Sequence, residues 1–374
     1  MMEKKPKIVF VSHESKLYGA PKSLLILLEK VKEKFDICVV TGGEGDFVDA
    51  VKQLEIPITV LKPNNRLYHT FINFINLYRL IFQKNPALVY VNTVVNFYPV
   101  LAAKFAFCPV IVHVREGSDY LFPESSKDKR TINLICRFSD RFICVSHAIA
   151  DLLQQKLKRK TPIDVVYNGI DCSKFQFSYQ IRENTRKQMN IKDEQLLIGF
   201  IGSLSQRKGV DIFLKAAENI SAEFSQVHFL VVGGRSTQSK KIQKNIENLN
   251  LADRFTIMPF TKDVVNIYSA IDIFSMTSLI EPFSRVNLEA SSMGRAIVAT
   301  AIDGNREIFQ DRKNALLIPP NSVTDLENAW RELIQNPQLR EELGKKALSV
   351  VQTQFTQESY TRKIINIIEN TIFI

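Results

Sequence analysis

What the chain lacks narrows it first. No segment approaches the roughly 20 apolar residues of a membrane-spanning helix. The first apolar run, Ile8 to Val11, is too short for the apolar region of a signal peptide, so a cytoplasmic protein is expected. Cysteine is scarce: Cys38, Cys108, Cys136, Cys144 and Cys172 are odd in number and include no Cys-x-x-Cys. That argues against a disulfide framework or a metal site and predicts buried free thiols. No internal repeat or low-complexity segment is present. The positive charge comes without a recognition motif or interleaved aromatics, which argues against nucleic acid as a partner.

The remaining bulk properties are those of a globular protein. The 374 residues predict two domains, each with its own core, and 45% hydrophobic and 24% charged content suits them. The net charge of +10 is uneven: residues 1–174 hold 25 Lys and Arg against 17 Asp and Glu, and the remainder 24 against 22. Clusters at Lys127-Asp128-Lys129-Arg130 and Lys156-Leu157-Lys158-Arg159-Lys160 have two readings. Either they keep the surface solvated, or they draw the N-terminal half to an anionic acceptor or an anionic membrane face.

Strand-like and helix-like runs alternate, which predicts parallel sheets covered by helices. Strands are expected at Lys7 to Ser12, Asp36 to Thr41, Ile58 to Leu61, Leu88 to Asn92, Val110 to Val114, Arg141 to Val145 and Asp164 to Val166. A second series is expected at Leu196 to Ile201, Val227 to Val232, Phe255 to Met258, Ile271 to Met276 and Ala296 to Thr300. Between the series, the polar stretch after Asn168-Gly169-Ile170-Asp171 as far as Gln195 reads as a linker. Asn168 and Asp171 are expected to shape the turn there. Helices are expected at Lys22 to Val31, His69 to Phe82 and Ala148 to Leu157, and again near Asp325 to Ile334, Gln338 to Val351 and Glu358 to Ile368. The helix His69 to Phe82 is apolar on more than one face. We read it as buried between sheet and neighbours, the rival being a helix lying in a membrane face.

The stretch Glu281-Pro282-Phe283-Ser284-Arg285-Val286-Asn287-Leu288-Glu289 sets two carboxylates eight positions apart across a strand-to-helix junction, with Gly294 as the helix stop. Pro282 is expected in the first helical turn. Free amides and the helix dipole suit an anion, whereas carboxylates suit hydroxyls, a combination that points to a phosphorylated sugar. Two further loops follow first strands. Ser12 to Ala20 leads into a helix opened by Pro21, with Gly19 expected to permit a tight turn. Gly199 to Val210 carries Arg207 and Lys208 where a diphosphate at a helix start would need positive charge. Neither loop is a P-loop, whose Lys precedes Ser or Thr. The end of another strand, Val231-Val232-Gly233-Gly234-Arg235, has a similarly permissive backbone.

Taken together, Ile201-Gly202-Ser203-Leu204 with Lys208-Gly209-Val210, Asp272 to Ser278, Glu281 to Ala290, and Gly304-Asn305-Arg306-Glu307-Ile308 followed by Leu317-Ile318-Pro319-Pro320 resemble the retaining glycosyltransferases of family 4. Gly19-Ala20, Val112-His113-Val114-Arg115, Val145-Ser146 and Asn168-Gly169-Ile170-Asp171 fall in the family's order as well. The resemblance implies the GT-B fold: two Rossmann-like parallel-sheet domains facing a central cleft, with the last helix crossing back. The acceptor domain would be residues 1–174 with 356–374, and the donor domain 175–355. By motif, Glu281 would bind sugar hydroxyls, the amides of Phe283 and Ser284 would meet the diphosphate or sugar, and Glu289 would hold the ribose. Lys208, with Arg207 in the same Gly202-Ser203 loop, would neutralise the diphosphate, and His113 would touch the transferred sugar. Gly19 and Ala20 would belong to the acceptor loop. The implied reaction moves a sugar from a nucleoside diphosphate sugar, UDP- or GDP-linked, to a hydroxyl of a glycan or lipid-linked acceptor with retained configuration. It needs no cofactor or metal, in line with the absence of any Asp-x-Asp.

The chain departs from the family's pattern where Ser203 stands for Arg, Tyr18 for Gly, Pro21 for an acidic residue and Ser284 for Gly. The rival readings are a sugar-nucleotide epimerase or hydrolase on the same fold and a non-catalytic nucleotide-sugar-binding scaffold. The other histidines, His13, His69, His147 and His228, are read as structural.

Overall fold

The computed structural model describes residues 5–62, 67–234, 240, 242–244, 246–247 and 251–373. The chain divides into two compact units, residues 1–169 with 357–374 and residues 170–356. The sequence-based division at 174/175 and 355/356 sits a few residues away. Residues 170–174 fall in the second unit, where the Ile170 amide donates to the Phe355 carbonyl at 2.9 Å.

The first unit is built on a parallel sheet of β1 Lys7–Ser12, β2 Asp36–Gly42, β3 Ile58–Leu61, β4 Leu88–Val91, β5 Val110–Val114, β6 Arg141–Cys144 and β7 Ile163–Val165. Their order across the sheet is β3-β2-β1-β4-β5-β6-β7. Strands β1, β4 and β5 are runs of Val, Ile and other apolar residues buried along most or all of their length, as expected of parallel strands covered on both faces. The helix Gly19–Lys34 turns Leu24, Leu27, Leu28 and Val31 inward, and the final helix Gln357–Ile372 brings Tyr360, Ile364 and Ile368 into the same core.

The second unit repeats the plan with β8 Leu196–Ile201, β9 Val227–Val232, β10 Phe255–Met258, β11 Ile273–Met276, β12 Ala296–Thr300 and β13 Leu316–Ile318, in the order β10-β9-β8-β11-β12-β13. Its core centres on Phe200, Phe213, Phe229 and Trp330, whose indole N–H donates to Ser275 Oγ at 2.8 Å. In each sheet the order reverses beside the first strand, between β1 and β4 and between β8 and β11. The carboxyl ends of those pairs are where open sheets of this kind bind ligands.

Several expectations change. The stretch read as a linker contains the helix Tyr179–Gln188, docked in the second unit by two arginines. Arg182 and the almost fully buried Arg186 both pair with Asp272, at 2.6 and 3.3 Å, so charge that looked solvent-facing is internal. Strand β13 was not expected. The helix expected at His69 to Phe82, read as buried between sheet and neighbours, runs Leu67–Lys84 and leaves Phe71 and Phe82 exposed. Four cysteines are buried and free as expected, but Cys172 is half-buried. Pro282 precedes the helix Arg285–Ser292 instead of lying in it, and Pro21 is the third residue of a helix begun by Gly19. Arg235, at the third glycine-containing strand end, lies outside the described residues.

Candidate active site

In the second unit the loops after β8 and β11 are stitched together by backbone. Leu279 N–H donates to the Arg207 carbonyl at 2.8 Å, and Thr277 Oγ1 donates to the carbonyls of Lys208 at 3.1 Å and Gly209 at 2.8 Å. Gly209 makes this approach possible: its φ is +67°, and a Cβ there would come within 2.0 Å of the Thr277 carbonyl oxygen. The consequence is an ion pair between Lys208 and Glu281, both largely shielded from solvent. Gly202, at the end of β8, hydrogen-bonds Val232 at 3.0 Å. Ser203 and Arg207 are exposed on the same loop, and Ser203 Oγ lies 3.1 Å from Ser205 Oγ.

A third segment braces Glu281. Its amide donates to Asp303 Oδ2 at 3.4 Å, and its carbonyl accepts from the Gly304 amide at 3.3 Å. Gly304 is packed so closely that a Cβ would reach within 2.2 Å of the Pro282 carbonyl oxygen. Asn305 ties this turn inward, donating to the Thr300 carbonyl at 3.0 Å and accepting from Asn287 at 2.9 Å. Ser284 caps the helix Arg285–Ser292, its Oγ accepting from the Asn287 amide at 3.2 Å. Phe283 is buried with its ring 5.5 Å from that of Phe355. One turn into the helix, the buried Glu289 accepts from Tyr268 Oη at 3.2 Å and lies 3.9 Å from Arg285. Burial, reinforced by the Glu289 charge, pushes the Tyr268 hydroxyl well above its ordinary range, which keeps it a donor.

Lys208, Arg207, Ser203, Gly202, Glu281, Phe283, Ser284 and Glu289 therefore all lie in the second unit, on two loops and the helix they lead into. Gly19, Ala20 and His113 belong to the first. Gly19 and Ala20 open the helix Gly19–Lys34, and the Ala20 carbonyl accepts from Asn92 at 3.0 Å. Gly19 has no left-handed φ, so the tight turn expected there is not what it provides. A Cβ at Gly19 would instead meet open space.

His113, the fourth residue of β5, is fully buried. Its Nδ1 lies 2.5 Å from Tyr90 Oη and 3.2 Å from Arg115 Nη2. A guanidinium can only donate, so Nδ1 accepts and the ring proton sits on Nε2. That Nε2 is buried with no partner among the described residues. Burial, with the Arg115 cation adding to it, holds the imidazole well below its ordinary pKa and therefore neutral. Arg115 also donates to Asn92 at 2.9 Å, Asn168 at 2.8 Å and Tyr360 of the final helix at 2.7 Å. Sequence reasoning missed this cluster because its members lie far apart in the chain. Asn168 had been assigned to a turn, whereas Asp171 does make the expected local bond, accepting from the Ser173 amide at 3.0 Å. Among the described residues no cluster of His, Cys, Asp or Glu could hold a metal, and no helix is long and apolar enough to cross a membrane.

Comparison with known proteins decides the family. Residues 19–174 match the family described as Glycosyltransferase Family 4, and residues 181–350 match Glycosyl transferases group 1. The chain belongs to glycosyltransferase family 4. This glycosyltransferase is 26% identical over 320 residues to the UDP-Gal:alpha-D-GlcNAc-diphosphoundecaprenol alpha-1,3-galactosyltransferase of Escherichia coli, covering 79% of each chain. It is 25% identical over 312 residues to an uncharacterised glycosyltransferase of Methanocaldococcus jannaschii, covering 80% of this chain and 78% of that one. Among solved structures it is similar to Anabaena HepE in complex with UDP and glucose, with a TM-score of 0.87, 24% identity and coverage of 98% and 100%. WaaG, a glycosyltransferase involved in lipopolysaccharide biosynthesis, aligns with a TM-score of 0.76 at 16% identity, covering 96% of this chain and 99% of WaaG. The two parallel-sheet units are thus those of the GT-B fold.

Proposed function

We propose that this glycosyltransferase moves a sugar from a nucleoside diphosphate sugar to a hydroxyl of a glycan or lipid-linked acceptor, with retained anomeric configuration and without a metal. The Lys208–Glu281 pair carries the reading, since it sits at the carboxyl ends of β8 and β11 where the strand order reverses. An ammonium has three N–H donors, so Lys208 can keep Glu281 and still donate to a phosphate oxygen. The carboxylate has lone pairs left for two sugar hydroxyls. The pair thereby couples the leaving diphosphate to the orientation of the sugar. Charge building on the diphosphate is met by Lys208, the exposed Arg207 and the amides at Phe283 and Ser284, which is the reason the chemistry needs no cation. Glu289, held by Tyr268 and Arg285, accepts from the ribose hydroxyls. His113 offers the transferred sugar a neutral Nε2–H donor, and the start of the helix Gly19–Lys34, with open space at Gly19, admits the acceptor.

A UDP-sugar is the favoured donor, because HepE, which shares the fold, was solved with UDP and with UDP-glucose. A lipid-linked acceptor is supported by the diphosphoundecaprenol acceptor in the name of the Escherichia coli relative. Thermal-shift measurements with UDP-, GDP- and ADP-sugars test the donor, since a ligand that binds only the native state raises its stability. The expected result is a shift with UDP-sugars that Lys208→Ala removes; a shift of equal size in that variant overturns the site. The anomeric configuration of the product, read by NMR, tests retention. Conversion of donor without any acceptor would favour an epimerase or hydrolase.

A further inference from the structure

Arg115 stands just past the end of β5, and every nitrogen of its guanidinium is occupied. Nε donates to Asn92 Oδ1 at 2.9 Å, Nη1 to Asn168 Oδ1 at 2.8 Å, and Nη2 to both Tyr360 Oη at 2.7 Å and His113 Nδ1 at 3.2 Å. Three of these partners share a second destination. Asn92 Nδ2 donates to the Ala20 carbonyl at 3.0 Å, and Tyr360 Oη donates to the Ser23 carbonyl at 3.2 Å. Asn168 Oδ1 lies 3.5 Å from Ser23 Oγ, which is itself 3.1 Å from the Gly19 carbonyl. Each path therefore runs from the guanidinium through one side chain to the opening turns of the helix Gly19–Lys34. The bridging side chains are all buried, where low dielectric strengthens each bond and a satisfied network is rigid.

A staple for the final helix would need only Tyr360. Here three paths converge on one helix start and a fourth bond ends on one imidazole. Tyr90 Oη, 2.5 Å from the same Nδ1, can donate or accept and so permits either tautomer of the ring, whereas a guanidinium only donates. We propose that Arg115 is a positioning residue that registers the His113 ring against the start of the helix Gly19–Lys34. One rigid cluster then sets both the Nε2–H that meets the transferred sugar and the place where the acceptor enters. The inference rests on the roles proposed above for His113 and for that helix start. Lysine at this position would keep the charge without the planar fork, whose fixed geometry lets one group hold all four partners.

Side-chain nitrogen NMR of His113 in the labelled full chain tests this without any substrate. The wild-type protein is expected to show Nδ1 as an unprotonated and Nε2 as a protonated ring nitrogen, with no second tautomer. Arg115→Lys should let the other tautomer appear. So, independently, should Tyr360→Phe, which removes one hydroxyl and keeps the buried ring. In the transfer assay both variants should lower kcat by up to about 100-fold, the cost of a small misplacement, with KM for the donor little changed and the far-UV spectrum retained. A single Nε2–H tautomer in both variants overturns the proposal. So does a Tyr360→Phe that loses only thermal stability, which would reduce the cluster to a staple for the final helix. Absence of transfer in the wild type would instead count against the proposed reaction, and the tautomer measurement would still decide the role of Arg115.

Discussion

At the scale of single residues, Lys208 and Glu281 answer to different measurements despite their contact. Lys208→Ala should lower kcat/KM by about 100- to 1,000-fold, the usual cost of one donor to a developing negative charge, with the far-UV spectrum unchanged. Glu281→Ala should abolish transfer in the same assay without unfolding the chain; undiminished turnover would remove Glu281 from the site. His228 answers to pH. Burial, with Arg254 and Arg186 adding, lowers its pKa to about 4 from the ordinary 6.5. Between about pH 6.5 and about 4 the unfolded chain therefore binds a proton the folded one refuses. The stabilisation is full above 6.5 and is lost as the pH falls through that window. The sole tryptophan, Trp330, lies in the same unit as His228, so its fluorescence in urea should show the midpoint falling from pH 7 to 5, and falling less in His228→Gln. Glu281, Lys208 and Glu289 could be singled out as candidates from sequence because ordered motifs fix their neighbours. The Arg115 cluster was not, since Asn92, Asn168 and Tyr360 meet only after the sheet and the last helix are in place.

At the scale of elements, buried parallel strands announce themselves as short apolar runs. Lys7–Ser12, Val110–Val114 and Leu196–Ile201 were legible to the residue. The helix Tyr179–Gln188 was hidden because its inward residues are arginines, and charge reads as surface until a partner is known. Arg186→Met should cost about 3 kcal/mol, the low end for a broken buried pair, because Arg182 still faces Asp272. Chemical denaturation followed at Trp330 measures it. Gly209→Ala should cost at least about 1 to 2 kcal/mol for its left-handed backbone alone. It must also push the β8 loop off Thr277, so KM for the donor should rise with kcat less affected. A KM equal to wild type would show that the loop contact does not position Lys208.

At the scale of the whole molecule, the two units repeat one plan, and the alternation of apolar runs made that repetition legible. Which segments belong to which unit was harder to read, because the exchange near residues 170 and 356 depends on a backbone bond between Ile170 and Phe355. The first unit is discontinuous: Tyr360, Ile364, Ile365, Ile367 and Ile368 of the final helix fill a core whose other buried members lie before residue 170. Deleting 357–374 should therefore abolish cooperative unfolding of that unit while sparing the Trp330 transition, and near-native unfolding of both would refute this dependence.

The order of synthesis follows from the same helix. The unit that holds the residues before 170 cannot be completed until residues 357–372 have been made. Leu24, Leu27 and Leu28 wait uncovered while the intervening unit, whose residues are continuous in the chain, is free to fold on its own. Nascent chains stalled short of Tyr360 should thus hold a folded second unit and a protease-sensitive first one.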